Sequence, residues 1–198
     1  MNTIRVAIGN GFPFIALGAV AYILFRTIKR SRHEARPPWR KEALWFAFAM
    51  YILFLLSITI IPSWKFLPDS DGVTRLYIFT SQEKPHINCI PLRSIRQFLF
   101  GNDTRVDNFR STGVLNLIGN AILYIPFGVI GVLAFGEKER IIRKLFLNGL
   151  VLCLIIEFVQ YFVGRSPDID DVILNMVGLI IGLCIGRLIQ KIFATGKS

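Results

Sequence analysis

Long apolar runs recur along the chain, each close to the roughly 20 residues that a bilayer core requires. Five of them, Val6–Phe25, Ala43–Ile61, Val114–Phe135, Leu145–Val163 and Val172–Phe193, are separated by basic or mixed segments. The pattern predicts an all-α fold: a polytopic helical membrane bundle with about five transmembrane helices and one long extracytoplasmic loop. The first run could be taken for a cleaved leader, but it is long, contains Asn10-Gly11 and Pro13, and leads into a basic loop, so a retained helix is expected. The chain divides accordingly into a first helix with its basic loop (1–42), a four-helix membrane domain (43–193) with its external loop (62–113), and a short tail (194–198).

The external loop is too long for a simple connector, and Pro62, Pro68, Pro85 and Pro91 break it into pieces. One piece, VTRLYIF, is rich in β-branched and aromatic residues and reads as a short strand. Another, IPLRSIRQFLF, sets Leu92, Ile95, Phe98 and Leu99 against Arg93 and Arg96, the pattern of a helix lying in the membrane interface.

Composition agrees with the pattern. The chain is 53% hydrophobic, with 17 Phe and a mean hydropathy of +0.53. Its net charge of +10 would suit a nucleic-acid binder, but the basic residues cluster beside apolar runs, where they orient helices instead. Seven of them lie in residues 26–42, the turn GEKERIIRK adds Lys138, Arg140, Arg143 and Lys144, and the tail adds Arg187, Lys191 and Lys197. These segments are expected on the cytoplasmic side. The segment 62–113 carries seven basic residues diluted by Asp69, Asp71, Glu83, Asp103 and Asp107, and is placed outside with the amino terminus. Cys153 and Cys184 fall within spans and Cys89 in the loop, which supports no disulfide framework.

The candidate chemistry lies in the polar residues of the last three spans. A carboxylate at membrane depth is expensive, by a few kcal/mol on insertion scales, so Glu157 inside LFLNGLVLCLIIEFVQYFV points to a function or a buried partner. Counting helix rise from the outer boundary puts Glu157 roughly 9 Å deep, with Gln160 about half as deep. Asn116 and Asn120 fall in the same outer layer from the third span, and Asn175 from the fifth. The spacings 116/120, 153/157/160 and 168/171/175/178 put each set on one helix face. Gly178, Gly182 and Gly186 continue the fifth span's face as a small-xxx-small pattern that admits a close neighbour. LNLIG (Leu115–Gly119) and LNMVG (Leu174–Gly178) form a short internal echo. The plainer reading makes the asparagines interhelical glue, pairs Glu157 with Arg165 or Arg110, and leaves Asp170 or Asp171 capping the last helix.

Taken in order, NCIPLRSI, LNLIGNAILYIPFGVIGVL and IIEFVQYFVGRSPDIDDVILNMVGLIIG resemble the VanZ-like family of bacterial membrane proteins. The likeness covers roughly residues 44–190 and rests on Asn88, Pro91, Arg93, Asn116, Asn120, Pro126, Gly128, Glu157, Gln160, Arg165, Asp168, Asp171 and Asn175. Leu92 departs from it, since an aromatic is commoner there. The resemblance implies residence in the bacterial cytoplasmic membrane and a link to susceptibility to teicoplanin-type glycopeptides, which act on cell-wall precursors at the outer face.

Two functions of different classes follow. In the first, an outward-facing polar pocket binds or protects a lipid-linked or lipid-anchored envelope ligand, using Asn88, Arg93, Arg110, Asn116, Asn120, Gln160, Arg165 and Asn175. In the second, a membrane-embedded enzyme acts on such a ligand with Glu157 as acid/base, helped by Asp168 and Asp171. No Ser/Cys nucleophile with a base and no His-rich set accompanies them, so neither a metal nor a cofactor is expected. A small transporter subunit is the weakest reading, because five spans with one buried acid make no inverted repeat and would need a homo-oligomer. The expected partner is a membrane lipid or lipid-linked envelope precursor, with no nucleic acid.

Overall fold

The computed structural model describes residues 2–30, 37–60, 63–69, 71–79, 87–100 and 107–195. Side chains are described for these except at 2–11, 29, 30, 63–66, 76–79, 98, 99, 107–116 and 194. The elements run α1 (Asn2–Arg30), α2 (Trp39–Ile60), β1 (Ser63–Pro68), β2 (Thr74–Phe79), α3 (Arg93–Phe100), α4 (Asp107–Phe135), α5 (Glu139–Phe162) and α6 (Ile169–Thr195). Among the described residues, α2, α4, α5 and α6 contain stretches long and apolar enough to cross a membrane, while the apolar stretch of α1, Phe12–Ile28, is shorter.

All five predicted spans fall on helices, and each helix begins before its apolar run, α4 as early as Asp107. Apolar character marks the bilayer-depth part of a helix, whereas backbone hydrogen bonding carries the helix on through polar residues at its ends. The strand expected in VTRLYIF forms as β2. Its partner β1, from SWKFLP, is not evident in the sequence; the two pair antiparallel from Ser63↔Phe79 to Pro68↔Thr74. The hairpin turn places Gly72 at φ 72°, a conformation that glycine adopts without steric cost.

Helix directions follow from side-chain contacts. Trp45 Nε1 donates to Ala134 O at 3.1 Å and the Tyr51 hydroxyl donates to Leu123 O, so α2 and α4 run antiparallel. The first bond serves a carbonyl that the helix end leaves without a donor. Ala134 lies in the last turn of α4, whose carbonyls lack intrahelical donors, and Leu123 sits beside the break that Pro126 makes in the hydrogen-bond ladder. α4 and α6 run parallel and nearly touch. A Cβ on Gly178 would stand 1.8 Å from Ala121 O, and one on Gly182 would stand 2.2 Å from Ile125 O. The small-residue stripe of α6 therefore faces α4, where a Cβ on Gly128 would likewise stand 2.5 Å from Leu183 N of the α6 backbone.

The echo between LNLIG and LNMVG does not extend to packing: Gly119 has open space where Gly178 is pressed against a neighbour. α5 lies antiparallel to this pair, with Leu145, Cys153 and Ile156 joining Tyr124, Phe127, Val132, Leu179 and Leu183 in the core. Outward, Val151, Ile155, Phe158, Phe162, Leu188 and Ile192 remain exposed, an apolar surface that suits acyl chains rather than water.

The directions place Pro37–Lys41, Glu137–Lys144 and Arg187–Thr195 at one end of the bundle, the basic end. The hairpin, α3, the start of α6 and the first residues of α1 and α4 lie at the other, here called the polar end.

Candidate functional site

At the polar end, α2, α4, α5 and α6 converge on a cavity of about 110 Å³. Thr59 comes from the last turn of α2, Asn120 and Tyr124 from α4, and Glu157 and Gln160 from α5. Asp171 and Asn175 from α6 and Arg165 from the α5–α6 connection complete a mostly polar lining, with Ile58, Leu123 and Ile156 as apolar wall. Glu157, Gln160 and Asn175 are buried, while Arg165 is exposed at the rim.

Each polar group has a distinct environment. Thr59 O is one of the carbonyls that the end of α2 leaves without an intrahelical donor. It accepts from Gln160 Nε2 at 3.0 Å and Arg165 Nη1 at 2.8 Å. Asn175 Nδ2 donates to Cys153 Sγ at 3.3 Å. The Asn120 amide faces the Asp171 carboxylate as its side-chain hydrogen-bond partner. Glu157 Oε2 accepts the backbone N–H of Asp168 at 3.1 Å, and no described Lys or Arg forms an ion pair with it. The Tyr124 hydroxyl, 1% exposed as a residue, has the Cys153 thiol, a weak acceptor, as its side-chain hydrogen-bond partner. A thiol is a weak partner, so the hydroxyl keeps capacity for a stronger bond to something in the cavity.

The structure divides the sequence candidates into three groups. Glu157, Asp171, Asn120, Gln160, Arg165 and Asn175 line the cavity. Asn88 and Asp168 form a tie beside it. Asn88 Nδ2 donates to Asp168 Oδ1 at 2.9 Å and to Ser94 Oγ at 3.1 Å, and Ser94 Oγ donates to Asp168 Oδ2. Asn88 and Asp168 also form an isolated parallel bridge, with Asn88 N donating to Pro167 O and Ile169 N to Asn88 O, each at 3.0 Å. Arg93 is exposed at the first residue of α3. The side chains of Arg110 and Asn116 lie outside the described residues.

The aspartates at the start of α6 serve two helices rather than one. Asp168, immediately before α6, accepts from Asp170 N at 2.9 Å and so caps α6, a role the sequence had offered to Asp170 or Asp171. Asp170, with no exposed surface, instead accepts from Leu92 N at 2.5 Å, Ser94 N at 2.8 Å and Ile95 N at 3.0 Å. It therefore caps α3 from another part of the chain, and pins the loop to the bundle beside the cavity. Sequence reasoning missed this role because nothing local marks it. It also missed Tyr124, which was open to detection: Tyr124 continues the 116/120 face by one more i+4 step.

A family model described as VanZ/LLP1 matches residues 48–190. The chain belongs to the VanZ/LLP1 family. No curated protein and no solved structure matches it. The matched stretch of this VanZ/LLP1 protein begins within α2 and ends within α6, so it includes every helix that lines the cavity and leaves α1 outside.

Proposed function

We propose that this VanZ/LLP1 membrane protein uses the cavity at its polar end, facing the outer side of the bacterial cytoplasmic membrane, to bind the polar part of a lipid-linked envelope ligand. The outward orientation rests on the basic residues gathered at the opposite end. The observation that carries the reading is the set of polar groups around one small cavity: buried Glu157 with a single hydrogen bond among the described residues, buried Tyr124 with only the Cys153 thiol as partner, and exposed Arg165 at the rim. About 110 Å³ admits a few waters or one headgroup-sized moiety, not a whole cell-wall precursor. The ligand's lipid would remain among the exposed apolar side chains of the bundle, and its phosphate or carboxylate would meet Arg165. Altered susceptibility to teicoplanin-type glycopeptides would follow where the ligand is the precursor those drugs engage.

Glu157 and Asp171 facing one cavity favour a second reading, an enzyme in which Glu157 is the acid/base for a reaction on the same class of ligand. One experiment tests both. Lipid-linked cell-wall intermediates and lipoglycopeptide susceptibility are compared in cells with the wild-type chain, Glu157→Gln and a deletion. Binding through shape predicts that Glu157→Gln retains much of the wild-type profile, and an acid/base role predicts that it matches the deletion. Identical profiles in all three would refute both.

A further inference from the structure

A second site lies at the opposite end of the bundle and is independent of the polar cavity. Between α5 and α6 there is a groove of about 410 Å³. Phe146 and Leu147 from α5 and Ile180 and Leu183 from α6 form its walls, and Arg143 and Arg187 stand at its basic end. The walls present almost no polar surface, and both arginines are exposed and make no ion pair among the described residues.

Depth gives these arginines a meaning. From Ile169, the first residue of α6, to Arg187 the helix rises roughly 27 Å, close to the ~30 Å of a hydrocarbon core. Arg187 therefore reaches the headgroup level of the leaflet opposite the polar cavity, while Ile180 and Leu183 sit among acyl chains. Arg143, near the start of the antiparallel α5, arrives at the same level. An apolar groove between two spans that ends in two unpaired guanidinium groups matches a phosphate-bearing lipid in both shape and charge.

We propose that this groove is a specific site for an anionic phospholipid, with an acyl chain along Leu147 and Ile180 and the headgroup phosphate held by Arg143 and Arg187. A neighbouring crevice between α5, α2 and α4 is also apolar and carries Lys144. It supplies the control, because Lys144 is on the same helix end but lines a different space.

The test uses the full chain purified in dodecylmaltoside with equal amounts of phosphatidylglycerol and phosphatidylethanolamine, and reads retained lipid by native mass spectrometry. The wild-type protein is expected to retain phosphatidylglycerol in preference to phosphatidylethanolamine. Arg143→Gln with Arg187→Gln should reduce that retention by about tenfold or more, and Lys138→Gln with Lys144→Gln should change it by less than about twofold. Cys184→Trp, or Leu147→Trp should the first variant aggregate, fills the groove and should displace the lipid with both arginines intact. Equal losses in the arginine and lysine variants would reduce the effect to diffuse charge and overturn the site. So would equal retention of the two lipids, or normal retention in the filled groove.

Discussion

The backbone N–H of Asp168 donates to the carboxylate of Glu157 at 3.1 Å, joining the start of α6 to the buried acid of α5. The link gives Glu157 a structural role that does not require its charge, since an amide oxygen accepts the same bond. Glu157→Gln is therefore expected to fold and reach the membrane at wild-type levels, with thermal unfolding in detergent little changed. Glu157→Leu leaves the N–H of Asp168 unsatisfied and should lower stability by about 1–3 kcal/mol. Equal melting temperatures for the two variants would mean that this bond contributes nothing.

The close approach of α4 and α6 makes a sharp contrast between two glycines. Gly178→Ala would place a methyl 1.8 Å from Ala121 O, a clash with backbone that only separation of the helices relieves. A loss of about 2 kcal/mol or more is expected. Gly119→Ala meets nothing within 4 Å and should be neutral to within about 1 kcal/mol. Unfolding curves of the two purified variants decide the matter, and a Gly178→Ala protein as stable as wild type would contradict the packing.

Asp170 and Leu92 make the tie between the α3 loop and the bundle testable. Leu92 has φ 64°, a left-handed conformation uncommon for a branched side chain, and its N–H is held by Asp170. Asp170→Ala strands three backbone donors and should release α3, seen as faster hydrogen exchange over residues 92–95 and a stability loss of about 3 kcal/mol. Leu92→Gly should go the other way, gaining up to about 1 kcal/mol, because glycine adopts this φ freely and the leucine is 56% exposed. Unchanged exchange in Asp170→Ala would show that α3 is held by other contacts.

How much of this was legible in the sequence depended on the kind of interaction. The spanning helices were readable because each bilayer-depth segment must be apolar over its own length, a local property. Asn120, Glu157, Gln160 and Asn175 were readable as one layer because helix rise converts sequence position into depth. The glycine stripe announced a close partner without saying that the partner was α4. What stayed hidden depended on backbone groups or distant residues. The carbonyl of Thr59, which gathers Gln160 and Arg165, has no residue type of its own to mark it. Asp170 looked like a local helix cap, and only the fold brings Leu92, Ser94 and Ile95 to it. Strand β1 was concealed because its pairing with β2 is not written in its own residues.

Tyr124 separates a ligand site from a merely structural cavity. Its hydroxyl is buried, lines the space between Glu157 and Asn175, and has only the weakly accepting Cys153 thiol as its hydrogen-bond partner among the described residues. If the cavity served only to hold helices together, the hydroxyl would add little, and Tyr124→Phe would change stability by no more than about 1 kcal/mol with no effect in cells. If the hydroxyl meets a ligand, the same substitution should again leave the folded protein intact while shifting lipid-linked intermediates and lipoglycopeptide susceptibility toward the deletion profile. The decisive measurement pairs thermal unfolding of the purified variant with that cellular profile. A stable Tyr124→Phe protein with a wild-type profile removes the hydroxyl from the binding site. A stable protein with the deletion profile makes Tyr124 a ligand contact, because loss of fold can no longer explain the phenotype.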